Sequence, residues 1–239
     1  MQIEELQNKH KGKSCFVVGN GPSVNDINFT KLIDKNVIVT NCFHMHPLWP
    51  QLKNVYHIEL NGAFRNDIET FRWKIYNLLR NKHSKYILRY KFKPYWEISA
   101  IPDERKSYLR LINNPNIFNG KYNWDIETGS LWANSGVIEG SIALAQYMGF
   151  KTIYLIGCDA TPYYDGTGDA SSAYFYDWKQ TPKVYWPRKE DNYDYKNMLK
   201  AWEIIYKLFK SKGIEIYNLS KRSNIKCIKK IDFDNLEEY

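Results

Sequence analysis

The sequence has no run of apolar residues approaching the ~20 that a membrane-crossing helix needs. Met1-Gln2-Ile3-Glu4-Glu5 also lacks the basic-then-apolar profile of a secretion signal. Both absences lead to the expectation of a cytoplasmic protein. Cysteine is scarce: Cys15, Cys42, Cys158 and Cys227 stand far apart with no C-x-x-C pair. That excludes a zinc knuckle and a disulfide framework and leaves thiols of the core or of strands. Helix-turn-helix, RNA-recognition and zinc-finger signatures are missing, so nucleic acid is not an expected partner. There is no internal repeat, and histidine stops at His83.

What is present is a chain of 239 residues, long enough to bury one sizeable core. Apolar (44%) and charged (25%) shares are ordinary for a globular protein, which argues against disorder. The formal net charge of +8 suits an anionic partner: a nucleotide, a lipid-linked phosphate, or peripheral contact at the inner face of an anionic membrane. Aromatic residues make up 16%, with 19 tyrosines, which suits either a sugar-facing surface or simply a tyrosine-rich core.

Short apolar runs mark buried parallel strands at Ser14–Val18, Val37–Thr40, Asn54–Ile58, Lys151–Ile156 and Ile214–Tyr217. A short helix is expected over Val24–Leu32. Helices are also expected over Ile68–Arg80, over Ser135–Met148 with its small residues, and over Asp194–Lys212. In the last of these Met198, Trp202, Ile205 and Phe209 form one stripe. Residues 66–130 read as a variable middle with a strand at Tyr86–Tyr90 and otherwise loop, broken by Pro94, Pro102 and Pro115; a small inserted lobe is the other reading. The tract 160–193, rich in Tyr, Gly and Asp, reads as a lid. The expectation is a single α/β domain over 1–239, Rossmann-like, with a mostly parallel sheet and helices on both faces.

The strongest local signal is Gly19-Asn20-Gly21-Pro22-Ser23 between the first strand and the segment that follows. Glycines admit a phosphate close to the backbone, a helix start offers free N–H groups, and Asn20 and Ser23 add side-chain hydrogen bonds. The spacing is neither a P-loop nor G-x-G-x-x-G, since Val24 stands at the third glycine position. A tight strand-to-helix turn with no ligand fits the same residues.

Three further motifs accompany it: Thr40-Asn41-Cys42-Phe43, Asn134-Ser135-Gly136-Val137 and Ile153-Tyr154-Leu155-Ile156-Gly157-Cys158-Asp159. Together, over residues 14–60 and 133–225, the pattern resembles the bacterial sialyltransferases of glycosyltransferase family 42. It also resembles their broader relatives, the motility-associated glycosyltransferases and the hydroxymethylpterin pyrophosphokinase-like proteins. The resemblance implies a GT-A-like variant of the fold and a transferase of bacterial surface glycan synthesis. It implies a CMP- or CDP-linked sugar donor, a glycan or lipid-linked acceptor, and no metal cofactor. It places the nucleotide against Gly19, Asn20, Gly21, Pro22, Ser23 and Asn41, the turn Asn134, Ser135 and Gly136, and the strand end Gly157, Cys158 and Asp159. Tyrosine hydroxyls after that strand, among Tyr163, Tyr164, Tyr174 and Tyr176, would stabilise the departing phosphate.

The chain departs from that family at the general base. The family histidine before the last long helix is absent, and Glu190-Asp191-Asn192-Tyr193-Asp194 stands there instead. A carboxylate or an imidazole must take the acceptor proton, so Asp191, Asp194 and His44 are the main candidates, with Glu190, His46 and Glu59 behind them. Asp194 also sits where a helix cap belongs, and His44 and His46 can equally be loop residues. Asp232-Phe233-Asp234 has the letters of a metal-holding Asp-x-Asp but lies in the acidic tail and reads as solvated surface. The rival reading is an ATP-using pyrophosphokinase-like transferase, and a third is a nucleotide-binding protein without catalysis.

Overall fold

The computed structural model describes residues 1–60, 62, 67–112, 126, 130–132, 137–160, 173–185 and 195–236; of 111, 112, 130–132, 185 and 195–198 it describes the backbone only. Eight strands form one sheet: β1 Ser14–Val18, β2 Asn36–Thr40, β3 Asn54–Glu59, β4 Lys85–Arg89, β5 Lys106–Ile112, β6 Ser130–Trp132, β7 Thr152–Ile156 and β8 Glu215–Asn218. Their order is β6-β5-β4-β3-β2-β1-β7-β8, and every pair runs parallel. The chain builds outward from β1 in one direction through β6, then crosses back to add β7 and β8 on the other side. β1 and β7 therefore flank the point where the winding reverses, the place where open α/β sheets bind ligands.

Side-chain alternation along each strand feeds two cores. Cys15, Val17, Ile38, Ile58, Ile153 and Leu155 face α3 (Val137–Tyr147) and α4 (Tyr195–Ser211). Phe16, Val18, Val37, Val39, Val55 and Ile156 face the opposite layer, which includes α1 (Ile68–Leu79) and Trp96 of α2 (Lys93–Glu97). Each such aliphatic or aromatic side chain contributes about 1.5–3 kcal/mol by leaving water. In α3 the buried Gly140, Ser141, Ala143 and Ala145 let the helix lie close on the sheet. In α4 Trp202, Ile205 and Phe209 are buried, the stripe read from the sequence. No helix among the described residues is long and apolar enough to cross a membrane.

Two expectations are corrected. The helix expected over Val24–Leu32 is two 3-10 turns, Pro22–Asp26 and Phe29–Leu32. Asn28 accepts the Thr30 amide and starts the second turn afresh. The middle region is not mainly loop, because β5 and β6 continue the sheet there.

Candidate functional site

Beyond their last paired residues, β1 and β7 stay zipped together. The Gly19 amide donates to the Ile156 carbonyl (2.8 Å) and the Gly21 amide to the Gly157 carbonyl (2.9 Å). The Ser23 amide donates to Asp159 Oδ2 (3.0 Å), so a carboxylate occupies the start of the 3-10 turn Pro22–Asp26. A Cβ on Gly21 would overlap Asp159 Oδ2 and lie 2.8 Å from the Gly157 carbonyl, although its φ of −67° suits any residue. Gly157 has φ +64° and packs its Cα against Val24. The glycines are thus required by the approach of two strand ends.

This changes what the turn offers. The amides of Gly19, Gly21 and Ser23 are spent within the protein, Pro22 has none, and Asp159 holds the position that a bound phosphate was expected to take. Side-chain atoms are among the groups left for a ligand. Asn20 Nδ2 donates to the Thr40 carbonyl (3.0 Å) and to Thr40 Oγ1 (3.1 Å). Asn20 Oδ1, Ser23 Oγ and Asp159 Oδ1 are buried and have no partner among the described residues. Gly21→Ala is expected to push the Asp159 carboxylate off the Ser23 amide and to cost roughly 2–3 kcal/mol of stability in urea unfolding. An unchanged midpoint would mean that this contact does not hold the turn.

Next to this turn, Asn41 follows β2 with φ +48°. Its carbonyl accepts three hydrogen bonds, from His44 Nδ1 (3.1 Å), His57 Nε2 (3.0 Å) and Lys74 Nζ (2.9 Å). Lys74 also pairs with Glu59, and both side chains are fully buried. Burial, followed by the Lys74 charge, lowers both histidines: His57 to about 3, and His44 well below the usual imidazole range. The two rings are neutral donors, His44 packed on Trp73 and His57 on Trp49. The Asn41 side chain is half-buried and engages no described residue.

His44 is therefore placed for holding backbone, with its ring closed off from solvent, and not for taking a proton from an acceptor. Glu59 is withdrawn in the same way by Lys74. His46 accepts the Leu48 amide through Nδ1 (3.2 Å), packs against Phe29, Phe43 and Phe175, and is lowered to about 4 by burial.

The described part of the lid lies over this edge. The Phe175 amide donates to the Asn20 carbonyl (3.0 Å), and Asn25 Nδ2 donates to the Phe175 carbonyl (3.0 Å). The Phe175 ring packs on Phe43 (5.8 Å). Tyr174 and Tyr176 stack on each other (5.1 Å). Cys158 is buried, with its thiol pushed up by burial. Its carbonyl accepts from Ser223 Oγ (2.8 Å), and the Asp159 carbonyl accepts from the Asn224 amide (2.8 Å). Ile138 at the start of α3 reaches the Gly19 turn, and beside it the Glu139 carboxyl is buried and raised to about 8. Asn134, Ser135, Gly136, Tyr163, Tyr164, Glu190, Asp191 and Asp194 lie outside the described residues.

Sequence reasoning missed the Lys74–His57–Glu59 cluster beneath Asn41. A signal existed: Lys74 sits on the apolar face of α1 between Phe71, Ile75 and Leu78, where a charge has no place without a partner. Among the described residues no group of three or more His, Cys, Asp or Glu is placed to hold a metal. Asp232 and Asp234 pair with Lys221 (2.9 Å) and Lys31 (3.0 Å) on the surface.

A doubly wound parallel sheet whose winding reverses between β1 and β7 defines an open α/β protein. No protein-family model and no curated protein matches the sequence. Solved structures do match. The sialyltransferase CstII from Campylobacter jejuni in complex with a substrate analogue, CMP-3FNeuAc, is 20% identical at a TM-score of 0.57, over 95% of this chain and 89% of that one. The sialyltransferase CST-II in complex with a trisaccharide acceptor and CMP is 17% identical at 0.54, over 95% and 89%. The monofunctional α-2,3-sialyltransferase Cst-I from Campylobacter jejuni is 18% identical at 0.54, over 95% and 83%. The chain has the fold of these sialyltransferases along nearly its whole length.

Proposed function

We propose that the protein is a glycosyltransferase that takes a CMP- or CDP-linked sugar and transfers it, without a metal, to a glycan or lipid-linked acceptor. One observation carries the reading. Asn20, pinned to Thr40, and Asn41, held in a left-handed conformation, sit side by side at the strand ends with polar side-chain atoms unengaged among the described residues. They do so in a fold whose solved relatives were crystallised with CMP and a CMP-sugar analogue. In the reaction the acceptor oxygen attacks the anomeric carbon, the bond to the phosphate oxygen breaks, and its electron pair leaves with the nucleotide. The hydroxyl proton passes to Asp191 or Asp194. Tyr174 and Tyr176, with Tyr163 and Tyr164, supply hydroxyls to the departing phosphate. Ser135 and Gly136, which precede α3 in the sequence, and Gly157 to Asp159 after β7 border the nucleotide. The net charge of +8 suits an acceptor or membrane face that is itself anionic.

A thermal-shift panel of CMP, CDP, UDP, GDP and ATP, each with EDTA or with magnesium, tests the reading. Ligand at a hundredfold excess over its dissociation constant adds about 2.7 kcal/mol, roughly 5–10 °C for a chain of this size. The expected result is a shift with CMP or CDP in EDTA that Asn20→Ala reduces. A shift with ATP only in magnesium points to pyrophosphoryl transfer, and no shift with any nucleotide removes the proposal.

A further inference from the structure

We infer that the buried Lys74–Glu59 pair, together with His57 and His44, is a positioning device for Asn41, fixing the backbone that presents its amide to the nucleotide. The inference rests on the nucleotide-sugar reading above and assigns a task to residues which that reading leaves without one.

Stability alone does not account for a lysine here. Position 74 lies on the apolar face of α1, and a buried ion pair replaced by apolar side chains of similar volume is often neutral or stabilising. What the charges supply is direction. Lys74 Nζ, His57 Nε2 and His44 Nδ1 converge on one carbonyl, more donors than its two lone pairs require. That carbonyl belongs to a residue with φ +48°, a conformation outside the broad allowed regions for a residue with a Cβ. Glu59 and His57 stand two residues apart on β3, so the strand brings both to the same side, one to hold Lys74 and the other to donate. With its carbonyl drawn into this cluster, Asn41 keeps its own amide free of every described residue.

The test is the double variant Lys74→Met with Glu59→Gln, which removes both charges and keeps the volumes, compared with Asn41→Ala and the triple variant. CMP affinity is measured by calorimetry, and the Asn41 φ is read from a crystal structure of the double variant. The expected result is a φ that leaves the left-handed region and a roughly tenfold loss of CMP affinity, about one hydrogen bond's worth. No further loss is expected when the pair is changed in the Asn41→Ala background, because the pair acts through Asn41. His57→Phe removes one donor, keeps a buried ring, and gives the same comparison with a smaller step should the double variant not fold. An unchanged φ, or a loss that persists in full without the Asn41 amide, overturns the inference and leaves the nucleotide reading intact. Wild-type CMP affinity in Asn41→Ala alone overturns both.

Discussion

Asp191→Asn is expected to lower turnover by about 10²–10⁴-fold while leaving CMP affinity close to that of the unaltered protein, the scale for losing a general base. Transfer to a hydroxyl needs a group to take its proton, and six side chains are on the list: His44, His46, Glu59, Glu190, Asp191 and Asp194. Three are already occupied. His44 is fully buried with Nδ1 on the Asn41 carbonyl, Glu59 is buried against Lys74, and His46 is packed among phenylalanines with Nδ1 on the Leu48 amide. Glu190 and the two aspartates, Asp191 and Asp194, remain, and the aspartates lead. They should not behave alike. Asp194 immediately precedes α4, so Asp194→Ala should also cost about 1 kcal/mol in urea unfolding, whereas Asp191→Asn should leave the midpoint alone. Unaltered turnover in both variants would move the base to Glu190 or out of the lid end altogether.

Stability is expected to be greatest near neutral pH and to fall on both sides, for two opposite reasons. In the fold His10, His44, His46 and His57 resist protonation, with His57 lowered to about 3 and His10 and His46 to about 4, whereas an unfolded imidazole takes a proton up near pH 6.5. Stability present above that pH is lost as the solution is acidified. Glu139 works the other way. Burial raises it to about 8, so between about pH 4.5 and pH 8 the fold keeps a proton that the unfolded chain has released, and stability is lost as pH rises. Below pH 6.5 these histidines outweigh the one carboxyl, so stability falls as acid is added. Once the unfolded histidines have lost their protons Glu139 dominates, and stability falls toward pH 8. Glu139→Gln should remove the alkaline decline and steepen the acid one. Its advantage over the unaltered protein should grow by about 4 kcal/mol from pH 4.5 to pH 8. Urea titrations across that range measure it, and parallel profiles for the two proteins would show that Glu139 is not held protonated.

The parts of the fold that were legible are those whose pattern is local. Val17, Ile38 and Ile153 lie in short apolar runs closed by Gly or Asn, and each of these runs is a strand. β5 escaped because its first residue is charged yet buried. Lys106 donates to the Trp96 carbonyl (2.9 Å) and pairs with Asp103, so a lysine interrupts what the eye expects of a strand. β6 has three residues and no periodicity to read. At the site, the glycine turn was visible, but its reason was not. Asp159, which takes the anion's place at the turn, stands 136 residues further along the chain. Asn41 was legible as a polar residue at a strand end. The Lys74 that fixes its carbonyl, 33 residues away, is brought there only by packing of α1.

A structure of the protein crystallised with CMP in the presence of EDTA tests the central claim most directly. The account predicts the nucleotide at the carboxyl ends of β1, β2 and β7, within hydrogen-bonding distance of Asn20 Oδ1 and the Asn41 amide. CMP bound elsewhere on the molecule, or that crevice unchanged at a concentration that saturates binding, would contradict it.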